Sequence, residues 1–245
     1  MWQLHSLVWF TPRKDRLFLT AARSCLLYTS KTAVIVTGGR IEKEFVSSFL
    51  KKTPYDYLIG VDHGIEFLRQ ENKIPTHIVG DFDSSCEETL NWFKEKKKIE
   101  IRRFLPEKDE TDTQIAVGLA MELRCDTIYI LGGSGTRIDH LLGNLQILSK
   151  PFQKGIRCYL IDSHNKIQLC RKYLKLKKTE QFGKYVSLIP HGEKASGITL
   201  KGFYYPLSDA VLDNTTALGI SNEIVEEEAE IFVETGDLFV IESRD

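Results

Sequence analysis

The 245-residue chain carries 33 Lys and Arg against 34 Asp and Glu, a formal charge of −1, and 42% of its residues are hydrophobic. That length and apolar content allow one large core or two smaller ones, and the near-zero charge supplies no basic field for a nucleic-acid backbone, which argues against nucleic acid as the main partner. Five scattered cysteines, Cys25, Cys86, Cys125, Cys158 and Cys170, form no CxxC pair. Neither a zinc site nor a disulfide framework is indicated, and a reducing cytoplasm is the expected compartment.

Residues 1–31 read as a weakly ordered extension. Basic Arg13, Lys14 and Arg16 precede an apolar stretch from Leu17, as in a secretory signal, but Arg23 interrupts it and no small-residue cleavage site follows. No other stretch reaches the roughly 18 uncharged residues of a spanning helix, so no membrane association is expected.

From Thr32 the chain alternates. The apolar run Ala33–Thr37 ends in Gly38-Gly39 and precedes a helical pattern over 42–51; Tyr57–Val61 repeats it, followed by a helix over 65–71. A third run, His77–Val79, ends at Asp81, and the amphipathic stretch 87–97 follows. Ile99–Phe104 predicts a strand, and Thr111 to Leu123 a helix capped by Thr111 and Asp112. Thr127–Leu131 and Arg157–Ile161 predict two more strands flanking a helix from about His140 to Leu148. This rhythm implies an α/β unit over 32–163, a mostly parallel sheet with helices on both faces, where ligands sit beyond the carboxyl ends of the strands.

Near His164 the pattern changes. Tyr185–Ile189, Ala195–Leu200, Glu230–Glu234 and Asp237–Ile241 read as short antiparallel strands with Gly turns between them, so 164–245 is expected to form an all-β sandwich domain. The basic stretch Lys172–Lys178 reads as a solvated strand or hairpin.

Carboxylates recur where the predicted strands end: Asp62 in Gly60–Gly64, Asp81 and Asp83 in Gly80–Ser84, Asp109 and Asp112 in Pro106–Asp112, and Asp139 after Gly132-Gly133-Ser134-Gly135-Thr136-Arg137. In an extended segment residues two apart project to one side, so Asp81 and Asp83 can share a cation, whereas without one they would repel. Asp109 and Asp112 stand at a helix start, where one of them would ordinarily serve as the cap. The glycine-rich turn matches neither the Walker A pattern nor the dinucleotide fingerprint. Its backbone N–H groups nonetheless suit phosphate, and Arg137 can neutralise phosphoryl charge. Carboxylates at one sheet edge suit a Mg²⁺ that carries phosphate oxygens, which makes phosphoryl chemistry the first expectation. His63, His77, His140, His164 and His191 show no triad spacing.

Taken in order, Val61–Gly64, Gly80–Ser84, Pro106–Asp112, Gly132–His140 with Leu142-Gly143-Asn144, and Gly219–Glu223 closely resemble thiamine pyrophosphokinase, over about Thr32 to Glu242. The resemblance implies transfer of a pyrophosphoryl group from ATP to the hydroxyethyl oxygen of thiamine, giving thiamine diphosphate and AMP. It implies an N-terminal domain for ATP and Mg²⁺, a C-terminal sandwich contributing to the thiamine site, and a homodimer with active sites at its interface. Carried over by motif, Asp81, Asp83, Asp112 and Asp139 are the expected catalytic carboxylates, with Asp81, Asp83 and Asp112 on the metal. Asp62, Gly133, Gly135, Arg137, His140 and Asn144 fall in the nucleotide-binding motifs, and Ser221 and Asn222 in the thiamine motif. After Glu223 the chain reads Ile224-Val225-Glu226-Glu227-Glu228, without the aromatic residue that family members can stack on the vitamin, so the stacking residue stays open. The residues alone leave two alternatives: another Mg²⁺-dependent nucleotide phosphotransferase, or a non-catalytic nucleotide- or thiamine-binding module. They also leave open which carboxylate accepts the substrate proton.

Overall fold

Six parallel strands, β1 (Thr32–Val36), β2 (Tyr57–Val61), β3 (His77–Gly80), β4 (Glu100–Arg103), β5 (Thr127–Leu131) and β6 (Arg157–Ile161), stand in the order β4-β3-β2-β1-β5-β6. The structure, a computed structural model, describes residues 30–81, 87–96, 99–103 and 109–245. Asp83, Cys25 and Cys86 lie outside the described residues. The connecting helices are α1 (Lys43–Lys52), α2 (Gly64–Gln70), α3 (Glu87–Lys94), α4 (Asp112–Glu122), α5 (Ile138–Ile147) and α6 (Ser149–Gln153).

Successive strand residues face opposite ways, and here both faces are covered, which is why the strands are continuous Val/Ile/Leu runs. Ala33, Ile35, Ile128 and Ile130 pack with Ala116, Val117, Leu119 and Ala120 of α4, whereas Val34, Val36 and Leu58 pack with Val46 and Leu50 of α1 and Ile65 and Leu68 of α2. Ile35 is fully buried at the centre. Truncating such a residue to Ala costs about 2–5 kcal/mol.

From β1 the chain steps away to β2, β3 and β4 with α1, α2 and α3 on one face. It then returns across the other face through α4 to β5, on the opposite side of β1. Strand order thus reverses between β1 and β5, and the loops leaving these two strands diverge to opposite faces. This opens the crevice in which doubly wound sheets hold ligands.

Beyond β6 the sheet continues without a break. β7 (Asn165–Cys170) runs antiparallel to β6 through Leu160↔Ile167, and β13 (Thr235–Ser243) and the first half of β9 (Tyr185–Lys201) follow. The second half of β9 leaves this layer and pairs with β10 (Leu207–Asp213) and β12 (Glu228–Phe232), with β8 (Tyr173–Lys177) at the far edge. A short β11 (Asn222–Glu223) pairs with the start of β9. Val186, Leu188, Leu238 and Val240 of the first layer meet Ala195, Ile198, Leu200 and Ile231 of the second in a separate core. Tyr185–Ile189 and Ala195–Leu200 are therefore one strand rather than two. The corner falls at Gly192, whose φ of 113° is a conformation that only glycine adopts readily.

Other boundaries also move. The last expected strand of the parallel sheet is followed by a β-half containing β10, which its sequence did not signal because Asp209 and Asp213 mask the alternation. Lys31, assigned by sequence to the extension, is anchored: its amide donates to Asp126 Oδ2 at 2.9 Å, and its carbonyl accepts from the Asp126 and Thr127 amides. The helix expected from His140 starts at Ile138, and Ser149–Gln153 forms a helix that the sequence reading left unassigned. Among the described residues no helix is long and apolar enough to cross a membrane.

Candidate active site

The switch-point crevice is a cleft of about 1260 Å³. Its floor is made where two glycine turns meet. Thr37 N donates to Leu131 O at 2.9 Å and Arg40 N to Ser134 O at 2.8 Å, binding the loop after β1 to the loop after β5. A Cβ on Gly39 would stand 2.2 Å from Gly132 O, so only glycine permits this approach, and Gly132 itself has φ 74°. Asn144 of α5 donates from Nδ2 to Gly133 O at 2.7 Å. This bond shapes the turn. Gly133 and Gly135 both line the cleft.

Three carboxylates that follow successive strands line the cleft: Asp62 after β2, Asp81 after β3 and Asp112 at the start of α4. Asp62 has φ 45°, a left-handed conformation that a non-glycine residue adopts at some cost and that marks functional turns. The helix cap is Thr111, whose hydroxyl accepts from Gln114 N at 3.2 Å. Thr111 is one of the two residues the sequence expected to cap this helix; Asp112, the other, and Asp109 do not cap it: Asp109 is exposed outside the cleft, and Asp112, in the first turn, lines it. Beneath them the buried hydroxyls of Thr37 and Thr113 lie 3.0 Å apart, joining the β1 edge to α4.

Asp139, Arg137 and His140 also line the cleft. Arg137 Nη2 donates to Asp139 Oδ2 at 2.6 Å and Nε to Oδ1 at 3.2 Å, and the His140 amide donates to Oδ1 at 3.0 Å. This bidentate guanidinium holds the Asp139 carboxyl down to about 2. The pair is neutral overall and open to solvent, with both side chains about two-thirds exposed.

Oxygen donors are the ligands that Mg²⁺ prefers, and Asp62, Asp81 and Asp112 supply them in the cleft. Among the described residues no group of three carboxylate, His or Cys side chains closes into a metal-holding cluster. Among the described residues the thiols offer no nucleophile: Cys125 and Cys170 are buried, and burial pushes them up to about 11 and about 12, with Cys158 also raised.

Ser221 and Asn222 do not line this cleft. Asn222 is buried, with Nδ2 donating to Tyr205 O at 2.8 Å and Oδ1 accepting from Tyr205 N at 3.0 Å and from Glu223 N at 2.9 Å. Ser221, at φ 56°, is held through its amide by Ser187 Oγ at 3.0 Å. The residue that Asn222 grips belongs to an exposed pair: the Tyr204 and Tyr205 rings stand edge to face at 4.8 Å, 64% and 61% exposed. Sequence reading passed over this pair, although two adjacent aromatics before Pro206 were the available signal. It also passed over Gly38-Gly39 as part of the site, and over Ser149 and Lys150 of α6, which line the cleft.

A doubly wound sheet with glycine turns, helix starts and strand-end carboxylates around its switch point is the arrangement of an α/β protein that takes a phosphate-bearing ligand. Comparison with known proteins gives the particular kind. Residues 49–160 match the family model "Thiamin pyrophosphokinase, catalytic domain" and residues 172–239 match "Thiamin pyrophosphokinase, vitamin B1 binding domain". A thiamine pyrophosphokinase of Bacillus subtilis is 35% identical over 221 residues, covering 88% of this chain and all of the relative. The crystal structure of thiamine pyrophosphokinase from Bacillus subtilis superposes with a TM-score of 0.77 at 34% identity, covering 88% of this chain and 100% of that one. That from Geobacillus thermodenitrificans gives 0.75 at 28%, covering 87% and 98%. The enzyme from Candida albicans, at 18% identity and a TM-score of 0.72 over 87% and 89% of the chains, shares the fold. The chain belongs to the thiamine pyrophosphokinase family.

Proposed function

We propose that this protein transfers the pyrophosphoryl group of ATP to thiamine, giving thiamine diphosphate and AMP. The observation that carries this reading is the switch-point cleft, walled by Asp62, Asp81 and Asp112, in a chain of this family. In the reaction the hydroxyethyl oxygen of thiamine forms a bond to the β-phosphorus, and the bond from that phosphorus to the α–β bridging oxygen breaks. AMP leaves with that oxygen, and the substrate proton passes to a carboxylate of the wall.

Asp81 and Asp112, with Asp83 expected beside Asp81, would hold Mg²⁺, which when bound neutralises polyphosphate charge. The amides of the Gly132–Thr136 turn and the start of α5 suit phosphate oxygens. Arg137, drawn from Asp139 toward phosphate, would add a cation, and His140 stands beside it. Asp139 thereby acts as the resting partner of Arg137. Asn144 supports the turn rather than the nucleotide.

Thiamine recognition is assigned to the strand-rich half, over 164–245, with 32–163 as the nucleotide half. The exposed Tyr204–Tyr205 pair is suited to a thiazolium, whose positive charge favours an aromatic face. Ser221 and Asn222 then act at and behind this platform. Because they do not line the cleft of their own chain, a homodimer in which two copies complete each site is the proposed assembly. Exposed Ile138 and Leu142 beside the cleft, and Leu218 and Ile220 beside Ser221, are apolar surfaces that a second copy would cover. With free, buried cysteines, the proposed compartment is the cytoplasm.

The test is incubation with ATP, Mg²⁺ and thiamine, followed by chromatographic identification of both products. AMP with thiamine diphosphate is expected. ADP with thiamine monophosphate would indicate single-phosphoryl transfer, and absence of turnover would leave a binding module.

A further inference from the structure

A second cavity, about 470 Å³, lies between β6, β7 and β8. It shares no lining residue with the large cleft and is of the size that holds a small ligand. Tyr159, Leu174 and Leu176 give it an apolar wall. Its charges are almost all answered. Lys166 Nζ lies 2.8 Å from the fully buried Glu242, Lys175 Nζ 2.8 Å from Glu228, and Lys177 Nζ 3.0 Å from Glu180. Within the basic stretch Lys172–Lys178, Lys175 and Lys177 of β8 are thus paired with carboxylates.

Two groups remain unanswered. Arg157, at the rim, has no ion pair among the described residues. Gln181 Oε1 is buried and accepts no hydrogen bond among them. A buried acceptor without a donor is costly, and native proteins seldom keep one without a reason.

We propose that this cavity is a second ligand site, taking a small aromatic monoanion that carries one N–H or O–H donor. The donor answers Gln181 Oε1, the anionic group answers the single unpaired guanidinium of Arg157, and the ring covers the apolar wall. Paired lysines leave no surplus charge for a polyphosphate, which distinguishes the site from the nucleotide cleft. Its walls come from both halves of the chain, β6 on one side and β8 on the other, so occupancy would brace one half against the other.

The probe is 8-anilinonaphthalene-1-sulfonate, which has aromatic rings, one N–H and one sulfonate. It is titrated by fluorescence into the full chain with the large cleft filled by AMP and thiamine diphosphate, and again without them. One saturable site per chain is expected, of equal affinity in both titrations. Arg157→Glu should weaken binding by about tenfold or more, and Gln181→Leu by about two- to tenfold. Both variants should keep wild-type turnover, measured separately, so that failure here is distinct from failure of the proposed reaction. Arg157 is exposed, so its variant tests the site without disturbing the core. No saturable binding, displacement by the two products, or undiminished binding in either variant would overturn the proposal.

Discussion

Asn222 grips Tyr205 from both sides, donating to its carbonyl at 2.8 Å and accepting from its amide at 3.0 Å. The buried amide therefore fixes the loop between β9 and β10 that displays the Tyr204–Tyr205 pair. Asn222→Ala should cost about 1–3 kcal/mol of stability, because buried backbone groups lose their partners. It should also raise the KM for thiamine by roughly five- to a hundredfold, with the KM for ATP little changed. Tyr205→Ala should give a similar rise, and the double variant should be less than additive, since both changes remove one platform. Steady-state kinetics of the three proteins decide it: an increase confined to ATP would move this segment to the nucleotide.

Asp139 should stay ionised far below neutrality. Its carboxyl is depressed to about 2 by Arg137, so the stability that this pair contributes is present above the ordinary carboxylate value near 3.8 and lost as pH falls through about 2. The acid limb of the activity profile should accordingly belong to another group. Replacing Arg137 with Gln should raise the Asp139 value toward 3.8, as followed by NMR titration of the side-chain carboxyl carbon. An Asp139 that already titrates near 3.8 in the wild type would mean that the pair does not persist in solution.

Gly39 touches the Gly132 carbonyl across the switch point, where a methyl group would stand at 2.2 Å. Gly39→Ala should force the two turns apart, at a cost of about 1–3 kcal/mol. Denaturant unfolding would report the cost. Activity should fall further than folding does, because the bond from Arg40 N to Ser134 O goes with the approach. A fully active, equally stable Gly39→Ala protein would show that the crevice floor does not depend on this contact.

Asp81→Asn and Asp112→Asn should each lose most turnover in folded protein, an effect of several kcal/mol on transition-state charge stabilisation. The Mg²⁺ concentration for half-maximal activity should rise in both variants. Asp83→Asn is expected to behave alike. Wild-type metal dependence in a folded Asp81→Asn or Asp112→Asn protein would remove that carboxylate from the metal.

Local pattern carried much of this protein. Val34, Ile35, Ile59 and Ile130 belong to apolar runs whose length and spacing specify buried parallel strands without reference to anything distant. Because ligands gather at the carboxyl ends of such strands, the sequence grouped Asp62, Asp81, Asp83, Asp109, Asp112 and Asp139; of these Asp62, Asp81, Asp112 and Asp139 line one cleft, Asp109 lies outside it and Asp83 falls outside the described residues. What the chain could not announce were relationships made by pairing across long separations. The order β2-β1-β5, which creates the crevice, joins strands far apart in sequence, and the contact of Gly39 with Gly132 exists only once they are neighbours. The same holds for the corner in β9: a glycine between two apolar runs signals a hairpin equally well, and only the pairing of its first half with β13 and its second with β10 and β12 makes it one strand. Asn222 bonds the backbone of Tyr205, 17 residues earlier, a partner that its own segment does not contain, because burial leaves its amide no water to bond. Sequence determined which residues could do chemistry, since side-chain type and strand periodicity are local. Tertiary structure decided which of them face one another, since that depends on strand order and burial, which no single segment contains.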